Sequence, residues 1–93
     1  DLSEPEVVAR LKKLRSRLKI IIDDSAGHGK AHSGESQAAK QLRAAGADVK
    51  RQHVGQLQHN KTIVVDGPKV KAALCGSTNF SWRGFYVQSN NAV

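Results

Sequence analysis

The 93 residues, with 25% charged side chains and a formal net charge of +7, describe one small basic domain, 1–93, able to bury roughly 60–70% of its unfolded surface. No apolar run approaches the about 18 residues that cross a bilayer, no signal peptide is visible, and one cysteine, Cys75, excludes an internal disulfide. A reducing, cytoplasmic setting is the expectation, and the charge suits an anionic partner, nucleic acid or a phospholipid surface, as well as it suits the plain alternative of a solvated basic face.

Ser3-Glu4-Pro5-Glu6 reads as a helix start, with Ser3 as cap, Glu6 closing a capping box and Pro5 in the first turn. Val7, Leu11, Leu14 and Leu18 follow at helical spacing. Leu18 to Ile22 is a nearly continuous β-branched run, expected as a strand buried on both faces. Ser25 to Gly34 is a loop by its glycines. It fails as a P-loop, because Asp24 stands where the first glycine belongs and Ala31 follows Lys30. His28 and His32 would face together only on a helix, which the glycines oppose, so a solvated loop is preferred to a metal site. Glu35 to Ala45 is the second helix, with Ser33 as cap, Ala38, Leu42 and Ala45 as its apolar stripe and Gly46 at C′. Residues 47–54 alternate as a half-buried strand, and strand, helix, strand in this order makes a right-handed parallel crossover. Residues 59–66 are expected as a third strand, Asp66-Gly67-Pro68 as a turn, and Val70 to Cys75 as a fourth strand. Gly76 to Gly84 is a polar segment, and Phe85-Tyr86-Val87 starts an expected fifth strand. With no Met and a first residue of Asp1, the chain is expected to be an excerpt of a longer protein.

Chemistry concentrates after residue 58. On a strand, residues two apart share a face, so His59 and Lys61 are expected to point the same way. Asp66 points the other way and belongs to the turn. If the turn centres near Gly67, paired residue numbers sum to about 134, which sets His59 near Cys75 with Ser77 and Asn79 just beyond. One nucleophilic imidazole, one cation, one hydroxyl and one amide then converge. Such a set suits holding a phosphate and attacking it without a metal.

His59-x-Lys61-x-x-x-x-Asp66 followed by Gly76-Ser77-x-Asn79 resembles the HKD signature of the phospholipase D-like superfamily. The resemblance covers most of the chain. It implies an α/β fold: a mixed sheet flanked by helices, one βαβ unit followed by the motif hairpin. It also implies phosphodiester hydrolysis or transfer with no cofactor and no metal. His59 would attack phosphorus and form a phosphohistidine, Lys61 and Asn79 would bind the phosphate, and Ser77 would assist, with Asp66 and Gly76 as structural positions. A second histidine, from another HKD copy in a repeat or a homodimer partner, would protonate the leaving group. Two departures stand out. The stretch between Asp66 and Gly76 is longer than the family's usual spacing. No Asp or Glu follows Asp66, where many members place a carboxylate behind the nucleophile; Gln88, Asn90 and Asn91 stand there instead. An amide can orient an imidazole but stabilises imidazolium less than a carboxylate does.

Residues 25–93 carry nine basic and three acidic groups, against six and five in residues 1–24, so the charge excess lies on the motif half. That distribution favours a nuclease over a lipase. Arg83 is the expected extra phosphate contact, and Trp82, Phe85 and Tyr86 are candidates for stacking on bases, with core packing as the plain alternative for Phe85. A catalytically silent relative that binds nucleic acid or another anion, and a purely structural assembly module, are the competing readings.

Overall fold

Two signals in the sequence, a β-branched run and a capped small-residue helix, build the part of the molecule that carries its core. The computed structural model describes residues 1–53, 55, 59–88 and 90–93. Strand β1 (Lys19–Asp23) lies parallel to β2 (Asp48–Gln52), with Ile20 opposite Val49 and Ile22 opposite Arg51. The crossover between them is α2 (Gly34–Ala44). Its start is fixed as the sequence suggests: the Ser33 hydroxyl accepts from the Ser36 N–H at 3.2 Å. Gly46 beyond its end takes φ 99°, a left-handed conformation that glycine adopts without a Cβ penalty. Residue 54, expected at the end of β2, lies outside the described residues.

The core sits where α2 lies on this parallel pair. Ala38, Ala39 and Leu42 from α2 meet Ile22, Val49, Val8 and Leu2, and Leu42 is fully buried. Small residues let the helix approach the strands closely, and one leucine fills the space they leave.

The first helix departs from expectation. Helix α1 (Pro5–Lys12) begins at the proline, and Glu4 rather than Ser3 occupies the cap, without a side-chain hydrogen bond. The Ser3 and Glu4 N–H groups donate instead to the Phe80 carbonyl, each at 2.9 Å, and Glu6 pairs with Arg10 at 2.9 Å. The helix stops before Leu14 and Leu18, where Arg15 turns left-handed at φ 52°. The expected loop at residues 25–34 contains one short 3-10 turn, Ala26–Gly29.

The motif hairpin is β3 (Lys61–Asp66) against β4 (Lys71–Gly76), antiparallel. Two corrections apply. Strand β3 starts at Lys61, so His59 lies in the segment leading into it. The register pairs Lys61 with Gly76 and Asp66 with Lys71, so paired numbers sum to 137 instead of about 134. Proline explains the shift. With φ locked near −65°, Pro68 belongs at the first corner of the loop, which moves the centre past Gly67; the Gly67 N–H donates to the Val70 carbonyl at 2.9 Å.

The expected fifth strand at Phe85-Tyr86-Val87 is instead part of a short helix, α3 (Trp82–Tyr86), capped by the Ser81 hydroxyl accepting from the Gly84 N–H at 3.2 Å. Pairing with β4 comes from further along. Cys75 and Val93 exchange backbone hydrogen bonds of 2.8 and 2.9 Å, and Gly76 bridges Ala92. A short apolar run does not distinguish helix from strand, and the cap decides it here. The domain is thus mixed α/β, with its parallel and antiparallel pairs forming two small sheets among the described residues.

Candidate active site

Register brings the motif together. Lys61 opposes Gly76, so the chain leaving β4 through Ser77, Thr78 and Asn79 emerges beside the segment that enters β3 through His59. His59 is exposed, and its side chain has no hydrogen-bond partner among the described residues. Lys61 is half-buried. Its Nζ donates to the His59 carbonyl at 2.7 Å, which ties the backbone of the candidate nucleophile to the candidate phosphate-binding cation. Burial pushes the Lys61 ammonium below the ordinary lysine value, because desolvation disfavours the charged form. A phosphate arriving there would recover part of that cost.

Ser77 and Asn79 are held by the segment that returns past β4. The Ser77 N–H donates to the Asn91 carbonyl at 3.0 Å. The Ser77 hydroxyl lies 3.4 Å from Asn90 Oδ1 and accepts from the Asn91 N–H, also at 3.4 Å. Asn79 Nδ2 donates to Gln88 Oε1 at 3.3 Å. Two side-chain amides, Asn90 and Gln88, and the Asn91 backbone therefore support the loop and orient Ser77 and Asn79.

The motif glycine has a direct physical reason. A Cβ on Gly76 would stand 2.7 Å from the Ala92 Cα and collide with the Asn91 carbonyl. Gly84 plays the same part beneath Asn79: a Cβ there would lie 2.8 Å from both the carbonyl carbon and the Cβ of Asn79. Asp66 does what its place in the hairpin suggests. Its exposed carboxylate pairs with Lys71 at 2.8 Å across the hairpin end, away from Lys61. Arg83 is exposed on α3, immediately after the loop, and no polar contact of its side chain is formed among the described residues.

Sequence reasoning missed the support that joins this loop to the core. Leu2 forms a parallel bridge with Phe80, and the Phe80 N–H donates to the Asp1 carbonyl at 3.0 Å. On its other side, the Leu2 N–H donates to Glu35 Oε1 at 3.1 Å. Glu35 is only 3% exposed and also meets His28 Nδ1 at 3.0 Å. Burial alone would raise its carboxyl. The Glu35 and Leu2 N–H groups, with His28 beside the carboxylate, outweigh that and hold it below the usual range. The two histidines of the glycine loop thus separate in role: His28 is bound to Glu35, and His32 remains exposed. No group of three metal-ligating side chains occurs among the described residues. The one available signal was Glu35 in the first turn of α2, which reads as ordinary helix-dipole chemistry.

A parallel βαβ unit followed by a hairpin that carries His-x-Lys and Gly-Ser-x-Asn is the arrangement of a phospholipase D-like domain. A family model described as "Cardiolipin synthase, PLD-like domain" matches residues 2–93, and the chain belongs to that family. Comparisons with curated proteins and with solved structures return no match. Among the described residues no helix is long and apolar enough to cross a membrane.

Proposed function

We propose that this domain supplies one half of a phosphodiesterase site that works through a phosphohistidine and needs no metal, with nucleic acid favoured over phospholipid as substrate. The observation that carries the reading is the β3–β4 register, which sets the desolvated Lys61 opposite the Gly76-Ser77-Thr78-Asn79 turn. In the proposed reaction a His59 ring nitrogen attacks phosphorus as the phosphorus–oxygen bond to the leaving group breaks. Lys61 and the Asn79 amide take up charge on the non-bridging oxygens, with Ser77 assisting. The leaving oxygen receives a proton from the histidine of a second HKD copy, in a repeat or a partner subunit. Water then attacks the phosphohistidine and gives one proton to that second histidine, the nitrogen–phosphorus bond breaks, and both histidines return to their starting protonation states. Arg83 extends the phosphate contacts toward the next residue of the substrate, and the excess of basic groups in residues 25–93 favours a polyanion.

One observation favours a second reading, a silent domain that only binds anions: no carboxylate contacts the His59 side chain among the described residues. One experiment separates the two. Hydrolysis of an activated phosphodiester by the full protein in excess EDTA should persist and should fall by at least 1000-fold in His59→Ala, on the order of the loss of a covalent nucleophile. Full turnover in His59→Ala would falsify the catalytic reading. Salt-sensitive binding of single-stranded DNA without turnover would transfer the assignment to the silent domain.

A further inference from the structure

A stretch of one charge sign lies outside the motif, at the far end of α1. From Val7 to Ile22 the chain carries six cations and no acidic side chain. Arg10 is paired with Glu6. The other five, Lys12, Lys13, Arg15, Arg17 and Lys19, fall within eight residues, are all exposed, and form no ion pair among the described residues. Lys19 stands opposite Asp48 in the β1–β2 register, and no ion pair closes there either. Like charges so close in the chain repel one another and oppose the compact state, and an anion laid across them relieves that repulsion.

The backbone that displays these cations is fixed. The Leu14 and Arg17 N–H groups donate to the Leu11 and Leu14 carbonyls, both at 3.0 Å, and the Leu18 N–H donates to the Arg15 carbonyl at 3.1 Å. The Asp48 N–H donates to the Leu18 carbonyl at 3.0 Å, and the Leu18 side chain packs against the core. Arg15 opens a 3-10 turn, Arg15–Arg17, at φ 52°. Glycine takes that left-handed conformation without strain, and arginine does not. The guanidinium is therefore displayed at a cost in backbone energy, a kind of strain that concentrates at functional positions.

Position and composition narrow the partner. Helix α1 starts where the Ser3 and Glu4 N–H groups meet the carbonyl of Phe80, the residue after Asn79. Its eight residues carry the chain about 12 Å from there, roughly three to four phosphates along one strand of a duplex. Val7, Val8 and Leu11 of α1 pack into the core. Leu14, 37% exposed, is the one apolar side chain of residues 12–19 that reaches the surface, and residues 1–24 contain no aromatic side chain. A membrane surface is held by an apolar or aromatic face beside the charge, whereas a nucleic-acid backbone is held by the charge itself.

We propose that residues 12–19 anchor the phosphate backbone of a nucleic acid, about one α1 length from the motif that holds the scissile phosphate. This rests on the nucleic-acid reading of the substrate and deepens it, since a strand must be several nucleotides long to touch both places.

The test is anisotropy of a labelled single-stranded oligonucleotide with the full protein, in a His59→Ala background so that nothing is turned over. Lys12→Gln, Lys13→Gln and Arg15→Gly combined should weaken binding by about 10- to 100-fold and lower the slope of log affinity against log salt by about 2. Arg15→Gly alone should lower the slope by about 0.7 with an unchanged melt by circular dichroism, because glycine suits that backbone. Lys30→Gln, Lys40→Gln and Lys69→Gln combined remove as much charge from elsewhere on the exposed surface and should leave affinity and slope nearly unaltered. With His59 intact, turnover of a small activated phosphodiester should be the same with and without the substitutions at residues 12–15, because that substrate is too short to reach them; a wild type inert toward it would count against the catalytic reading alone. An unchanged slope in the first triple variant overturns the proposal. So does an equal loss in the second, which makes net charge the whole cause, and so does slower turnover of the small phosphodiester in the first. Binding to phosphatidylglycerol vesicles that the first triple variant loses, with oligonucleotide affinity intact, would overturn it in favour of a membrane.

Discussion

Gly84→Ala tests how the Asn79 loop is held. The substitution has two opposing effects. Alanine is a better helix former than glycine by about 1 kcal/mol in a helix interior, and less than that in the five-residue α3. Against this, the new methyl would lie 2.8 Å from the Asn79 carbonyl carbon and Cβ, and closer still to the Asn79 oxygen. Those atoms are mostly backbone and cannot rotate away, and Gly84 is buried. Overpacking of this kind costs about 1–3 kcal/mol, and the backbone origin places it toward the upper end. The clash therefore wins, with a net loss of about 1–2 kcal/mol and a fall in Tm of about 4–16 °C. Function should suffer more than stability, because relief moves Asn79 off its position. A displacement near 1 Å can cost about 100-fold in rate, so kcat/KM for an activated phosphodiester should drop by about 10- to 100-fold. Gly27→Ala is the matched control, since a Cβ there meets nothing within 4 Å, and it should change neither quantity. Thermal melts by circular dichroism and steady-state turnover of the full protein measure both. A Gly84→Ala protein that melts at or above the wild-type temperature with full turnover would refute the reasoning.

Other perturbations follow from the same geometry. Glu35→Ala leaves the buried Leu2 N–H without its acceptor and should cost about 1–3 kcal/mol in chemical denaturation; no change would mean that Leu2 and Glu35 do not tie the loop to the core. Because the Glu35 carboxyl is held below its ordinary value, its contribution is complete above the unfolded carboxyl value of about 4.3 and is lost as pH falls through the folded value. Acid melts of the wild type should therefore converge on those of Glu35→Gln as pH drops, and parallel curves would contradict the linkage. Trp82 and Tyr86 are 62% and 74% exposed with ring centroids 5.9 Å apart. Trp82→Ala should alter stability by no more than about 0.5 kcal/mol yet weaken single-stranded DNA by about 5- to 150-fold, the worth of one stacked base. An unchanged affinity, read by anisotropy of a labelled oligonucleotide, would remove this pair from the nucleic-acid surface.

Local chemistry made much of the architecture legible. Ser33 and Gly46 bound α2 as their residue types dictate. The β-branched run at residues 19–23 and the two apolar stretches around Gly67-Pro68 fold as strands. The motif could be read because its spacing is local: residues 59–66 and 76–79 are joined by one hairpin. Errors arose where a short signal had two outcomes. Phe85 and Tyr86 carry apolar bulk that suits a strand, and the Ser81 cap turned them into a helix. Pro68 claimed the loop corner and slid the register by enough to set Lys61, in place of His59, beside the start of the Gly-Ser-x-Asn turn.

The amino-acid sequence by itself determined which groups are the candidates to hold and attack a phosphate, because residue type and spacing along one hairpin select them. Only the tertiary structure decided what holds those groups in place. Glu35 reaches Leu2 from 33 positions away, and Leu2 bridges Phe80 across nearly the whole chain. Gly76 and Gly84 are required by backbone that returns to them from residues 91–92 and 79. Contacts between distant segments leave no periodic trace in a sequence, since each needs only one residue at each end.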